Sequence, residues 1–200
     1  MDKKILVIAG DGIGKEITDS ARQVLEKVSN KLDLHLTFDT SLMGGVAYDA
    51  TGTPLPAETL VKAKAADAIL FGAVGGEKWD KVDPKLRPEQ ALLGIRKELG
   101  LYANLRPVKV LPELVEYSPL KENLVQGTDI LIVRELVGGI YFGKRQEAVV
   151  EDGKEWAWDM ENYSVPEVER IAKIAFDAAR LRKGAVCSVG KADLNKVIFC

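Results

Sequence analysis

The chain has 200 residues, 46% hydrophobic and 29% charged, enough apolar material to bury a core in one large or two small domains. A formal net charge of -2 gives no electrostatic reason to expect nucleic acid or an anionic membrane as partner. No stretch approaches the roughly 20 apolar residues of a membrane span, and no signal peptide is evident. The cysteines, Cys187 and Cys200, match no metal spacing and favour a reducing, cytoplasmic setting.

Strands and helices are predicted to alternate, which argues for an α/β fold with a largely parallel sheet and helical crossovers. Lys4 to Ala9 reads as a strand buried on both faces. Gly10, Gly12 and Gly14 follow where the chain turns into a helix. Backbone N–H groups at such a place can meet an anion, but the spacing is G-x-G-x-G, not the G-x-G-x-x-G of dinucleotide turns; a tight turn needing small residues is the simpler reading. The helix, Lys15 to Asn30, carries Ile17, Ala21, Val24, Leu25 and Val28 on one face. A strand at Leu34 to Phe38 ends near Asp39, which resembles a ribose-binding acid only at the level of chance. A helix near Pro56 to Ala65, a strand at Ala68 to Phe71 and a helix from Pro88 stopping at Gly100 complete a first domain, residues 1–101. The second domain, 102–200, holds strands at Asn104 to Leu111 and Asp129 to Leu136. It continues with a hairpin arm near 140–162 that turns at Asp152-Gly153, and a helix from Pro166 to Lys183. Trp156 and Trp158 share one face of that hairpin, which suits either a contact with a second subunit or packing within the chain.

The helix beginning at Pro88 places Glu89, Leu92, Leu93 and Arg96 at spacing 0, 3, 4 and 7 on one stripe. An acid, two leucines and a base suit a small molecule with an anionic end and a branched hydrocarbon end. A partly buried amphipathic helix with snorkelling ends fits the same spacing. Arg106 in N-L-R-P and Arg134 in L-I-V-R-E-L then stand at element ends. Three arginines suit a dicarboxylate, since each guanidinium can clamp one carboxylate through two parallel hydrogen bonds. Any one alone is more often a surface ion-pair partner.

Six segments carry a further pattern: G-D-G-I-G (Gly10 to Gly14), G-A-V-G-G-E-K-W-D (Gly72 to Asp80), P-E-Q-A-L-L-G-I-R (Pro88 to Arg96), Y-A-N-L-R-P (Tyr102 to Pro107), I-V-R-E-L-V-G-G-I-Y-F-G (Ile132 to Gly143) and S-V-G-K-A (Ser188 to Ala192). In order and spacing they resemble the 3-isopropylmalate dehydrogenases of the isocitrate/isopropylmalate dehydrogenase family. The resemblance implies a two-domain, non-Rossmann α/β fold with a mixed, largely parallel sheet. It implies NAD-dependent oxidation and decarboxylation of 3-isopropylmalate, a step of leucine biosynthesis, assisted by magnesium or manganese in a homodimer whose arm clasps the partner. Arg96, Arg106 and Arg134 would hold the carboxylates, and Leu92 and Leu93 would receive the isopropyl group. Gly76, Glu77, Lys78, Trp79, Asp80 and Pro88 would lie on the cofactor side with Ile13, and Glu89 nearest the nicotinamide. Lys191, serving the neighbouring subunit's site, and Tyr141 would carry the acid–base steps. Isocitrate enzymes present polar groups on the striped helix, so its leucines favour an aliphatic substrate; a tartrate- or malate-type activity is the closer alternative.

The pattern departs from the family after Val189. Gly190 stands in place of an aspartate, Asp193 in place of an asparagine, and K-V-I-F-C does not follow the family. The metal-binding aspartates are expected beyond Cys200. The expectation is therefore of a C-terminally incomplete enzyme, inactive or poorly active alone, or a truncated product with no catalytic duty.

Overall fold

A computed structural model describes residues 2–189, which divide into two compact units between Gly100 and Leu101. In the first unit, β1 (Asp2–Gly10) is the central strand of a three-stranded parallel sheet, between β2 (His35–Thr40) and β3 (Ala68–Ala73). Ile5 is the register point, aligning with Phe38 on one side and Ala68 on the other. A central strand is covered on both faces, which explains its unbroken apolar run. Leu6 and Ile8, fully buried, point to one face, where they pack with Met43, Ala63, Ala91 and Ile95. Val7 points to the opposite face.

Crossovers are supplied by α1 (Gly14–Lys31), α2 (Gly45–Thr51) and α3 (Ala57–Ala65), and α4 (Pro88–Glu98) closes the unit. Past α4, Gly100 adopts a left-handed φ of 62°, the conformation that stops the helix there. The seven-residue α2 escapes the sequence reading because so short a segment shows barely two turns of periodicity. The apolar face of α1 is only partly covered: Ala21 and Leu25 are half-buried, Ile17, Val24 and Val28 are 45%, 61% and 42% exposed, and the fully buried positions are Gly14, Thr18 and Ser29. Close approach to the sheet selects small residues, because a Cβ on Gly14 would lie 2.1 Å from the Ala9 carbonyl oxygen.

The second unit pairs its strands differently. There β4 (Ala103–Lys109) and β5 (Asp129–Glu135) form an antiparallel ribbon after the short α5 (Glu122–Val125) intervenes, so parallel pairing is confined to the first unit. A second ribbon joins β6 (Arg145–Glu151) to β7 (Lys154–Asp159). Its turn uses Asp152 and Gly153, both at positive φ, as a two-residue hairpin of this hand requires. Trp156 and Trp158 are 54% and 48% exposed on that hairpin. Against β5 lies α6 (Val165–Arg180), started by Glu167, whose carboxylate accepts from both the backbone N–H and the hydroxyl of Ser164 at 2.7 Å. No helix among the described residues is long and apolar enough to cross a membrane.

Two substitutions separate the buried from the exposed apolar positions of the first unit. Leu6→Ala should cost about 2–5 kcal/mol in urea unfolding, and Ile17→Ser less than about 0.5 kcal/mol. Equal losses would return the α1 stripe to the core.

Candidate active site

The helix α4 carries two stripes that differ in burial. Pro88, Ala91 and Ile95 are buried and face the core, while Leu92, Leu93 and Arg96 are half-buried on the neighbouring face and Glu89 is exposed. The core therefore does not consume the leucines.

Beside the start of α4 lies the segment Val74–Asp80, which brings the expected cofactor-side residues Gly76, Glu77, Lys78, Trp79 and Asp80 into one loop. A Cβ on Gly75 would sit 2.7 Å from Glu89 Oε1, so bare backbone runs past that carboxylate. Trp79, only 9% exposed, turns its ring onto Gly45, where any Cβ would lie 2.2 Å from the indole. Its Nε1–H donates to Asp49 Oδ1 at 3.1 Å, and Lys78 Nζ donates to Asp49 Oδ2 at 2.6 Å. A single α2 carboxylate thus holds two consecutive side chains of the loop.

A second carboxylate holds its backbone. Asp11, 1% exposed in the G-D-G-I-G turn, accepts from Gly45 N and Gly75 N through Oδ2 and from Val46 N through Oδ1, each at 2.8 Å. The turn itself is tight: Asp11 N donates to the Ala73 carbonyl at 2.7 Å, and a Cβ on Gly10 would lie 1.8 Å from that same oxygen. Ile13, 57% exposed, projects from this fixed turn. Asp39 is otherwise engaged, accepting from Thr40 N at 2.8 Å and from Lys62 Nζ at 3.4 Å.

In the second unit the β4–β5 register sets Asn104 opposite Arg134 and Arg106 opposite Ile132. Residues opposite one another, and residues two apart, share a face. Arg106 and Arg134 therefore stand as diagonal neighbours on one side of the ribbon. Arg106 Nε donates to Asn104 Oδ1 at 2.5 Å, while Arg134 lies 5.7 Å from the Tyr141 ring centroid and donates to its hydroxyl at 3.4 Å. Tyr141 sits in a short 3-10 turn, Gly139–Tyr141, half exposed.

The acid beside Arg134 faces the other way. Glu135 accepts from Val137 N and Gly138 N at 2.8 and 2.7 Å and pairs with Arg170 at 2.8 Å, which in turn stacks over Tyr102 at 4.5 Å. Tyr163 covers Gly138 and Gly139, and burial pushes its hydroxyl above the ordinary tyrosine range. Asp11, Asp49, Glu135, Arg170 and Tyr163 escaped the sequence reading. An acid flanked by glycines, or three residues before a Gly-Gly pair, was the available signal for Asp11 and Glu135.

Among the described residues no group of three or more His, Cys, Asp or Glu side chains is placed to hold a metal. Lys191, Asp193 and Cys200 lie outside the described residues. A cleft of about 620 Å³ at the C-terminal ends of β1 and β2 is lined by Thr18, Ser41, Thr59 and Lys62, among others. It includes none of the candidate residues, and two of its hydroxyls already have acceptors: Thr18 donates to Gly14 O at 2.8 Å and Thr59 to Leu42 O at 2.7 Å.

Asp49 provides a pH test. Hydrogen bonds from Lys78 and then Trp79 hold its carboxyl below the ordinary aspartate range. A depressed folded-state value means that the clamp is complete above the ordinary range and is lost as pH falls through the lowered value. The Trp79 indole N–H resonance should therefore shift in acid with a midpoint below that of a free aspartate. Asp49→Asn should abolish the transition; an unchanged titration in that variant would contradict the clamp.

Residues 4–198 match the family model described as isocitrate/isopropylmalate dehydrogenase. Proteins named 3-isopropylmalate dehydrogenase from Acinetobacter baylyi and Geobacillus kaustophilus are each 54% identical, over 98% and 96% of this chain, and the chain spans 55% and 52% of their own lengths. The β-decarboxylating dehydrogenase of Thermococcus kodakarensis aligns with TM-score 0.62 and 32% identity, covering 90% of this chain and 46% of that one. The isocitrate dehydrogenase of Methylococcus capsulatus aligns with TM-score 0.66 and 30% identity, covering 90% and 48%. The chain thus spans about half the length of the curated relatives that it matches, and across that span it belongs to the isocitrate/isopropylmalate dehydrogenase family.

Proposed function

We propose that the protein acts in the NAD-dependent oxidative decarboxylation of 3-isopropylmalate in the cytoplasm, within leucine biosynthesis, and that these residues supply its substrate-recognition and nicotinamide-side parts. The observation that carries the reading is the division of α4: a core stripe at Pro88, Ala91 and Ile95 leaves Leu92 and Leu93 half-buried beside Arg96. A branched alkyl group matches the leucines, and carboxylates match Arg96, Arg106 and Arg134. The names of relatives at 54% identity point to the same substrate.

The substrate chemistry has three steps. The secondary alcohol loses its proton to a base and its hydride to NAD, leaving a ketone with a carboxylate β to it. Carbon dioxide then departs and its bonding electrons form an enolate. Protonation of the enol carbon completes the 2-oxo acid.

Lys191 is assigned the first proton. Tyr141 is assigned the last, with its hydroxyl directed by Arg134. NAD, when bound, accepts the hydride; the side-chain-free stretch at Gly75 and Gly76 beside Glu89 suits a flat ring that must approach backbone closely. No step is routed through a metal, since the described residues bring no group of three or more His, Cys, Asp or Glu side chains together. Because about half the length of the curated relatives is spanned, the 200 residues alone are expected to turn over poorly. The half-exposed indoles of Trp156 and Trp158 suit a homodimer contact on the β6–β7 hairpin.

Isocitrate is disfavoured because a third carboxylate would meet hydrocarbon at Leu92 and Leu93, at a cost of about 1–3 kcal/mol. Calorimetric titration with 3-isopropylmalate, tartrate and isocitrate tests the reading. The first should bind more tightly than either of the others, and Leu92→Ser should weaken it by about 1–3 kcal/mol while leaving tartrate unaffected. Equal affinity for tartrate and 3-isopropylmalate would reject the assignment. NADH production by the chain alone at the rate of an ordinary dehydrogenase would reject the expectation of poor turnover.

A further inference from the structure

Asp11 is a buried acid with no part in the chemistry proposed above. Its carboxylate sits in a seat made of backbone: Gly45, Val46 and Gly75 each present an N–H to it, from positions 34, 35 and 64 residues away. The walls of that seat are glycine, for a Cβ on Gly44 would lie 2.6 Å from Asp11 Oδ2. Glycine-walled nests of N–H donors are the means by which many proteins hold a phosphate. Here the chain fills the seat with its own anion.

We propose that Asp11 is a positioning residue for the cofactor-side loop: by bridging Gly75 to the start of α2 it fixes Val74–Asp80 beside Glu89 for the nicotinamide end of the cofactor. This deepens the reading of that loop as the nicotinamide side and rests on it. The bridge closes a circuit. Asp11 joins the loop to the first residues of α2, Asp49 on the same helix holds Lys78 and Trp79, and the Trp79 ring lies against Gly45 where the carboxylate also binds. With the Asp11 carboxylate removed, three N–H groups lose their acceptor while the sheet hydrogen bonds of β1 are untouched. The effect should therefore be local to the loop and α2.

Asp11→Asn keeps the shape and one acceptor oxygen but turns an NH2 group toward at least one backbone N–H. Asp11→Ala removes the bridge entirely. Hydrogen exchange on the whole chain, read by NMR, should show the Gly75 and Val46 amides and the Trp79 indole N–H exchanging about tenfold faster in Asp11→Asn, the equivalent of about 1.4 kcal/mol. The Leu6 and Ile8 amides should keep their wild-type rates. Asp11→Ala should exaggerate the same pattern, and if it does not fold, Asp11→Asn decides. NADH titration should show weaker binding in Asp11→Asn by a similar factor, counted per folded molecule, a quantity that a merely structural role would leave unchanged. Loop amides that exchange at wild-type rates, loop and sheet amides that accelerate together, or unchanged NADH affinity would each overturn the proposal. If wild-type chain binds no NADH, the cofactor reading of the loop fails and the positioning role with it; the exchange pattern then still reports whether Asp11 holds the loop.

Discussion

The burial of α4 on one stripe only is the constraint on which the rest depends. Ala91 and Ile95 join Leu6, Ile8 and Met43 in the core of the first unit, and a helix anchored on that side has its rotation fixed. Once rotation is fixed, Leu92, Leu93 and Arg96 have one direction available to them. Leu55 packs close over Gly94, its Cδ2 lying 2.8 Å from where a Cβ would stand. Core packing and the direction of the second stripe are thus consequences of a single helical phase.

Both units hold a loop that carries or leads to candidate residues by the same device. A carboxylate with little exposure accepts several backbone N–H groups: Asp11 for the Val74–Asp80 loop, Glu135 for the turn that leads to Tyr141. Loops cannot rely on ladder hydrogen bonds, and their amides need acceptors when they are buried. A charged acceptor shared among several donors supplies order without a regular element. Each such acid stands next to or near a candidate residue, Ile13 in one case and Arg134 in the other.

Much of this was legible in the sequence, for identifiable reasons. The apolar run at Ile5 to Ala9 announced a strand covered on both faces, and Asp152-Gly153 announced a tight hairpin, because each depends on local stereochemistry. The stripe of α4 was readable as a pattern, but which of its faces met the core was not. How little of the apolar face of α1 is covered was hidden for a related reason. Its sheet contact is made by Gly14 and Thr18, since the helix approaches too closely for larger side chains, and hydrophobic periodicity gives such residues no weight. Antiparallel pairing of β4 with β5 was hidden because partner choice is a property of the chain's return path, not of either strand alone. Asp11 and Glu135 were invisible as supports because their partners are backbone amides, which leave no mark in side-chain patterns.

The central claim is that the second stripe of α4 recognises a branched alkyl group. Methyl NMR of leucine-labelled protein, titrated with 3-isopropylmalate and separately with malate in the presence of NAD and magnesium, tests it most directly. The account predicts that the Leu92 and Leu93 methyls shift with 3-isopropylmalate and remain in place with malate, while the Leu6 methyls move with neither. Identical responses to the two acids, or a response confined to leucines other than Leu92 and Leu93, would contradict it.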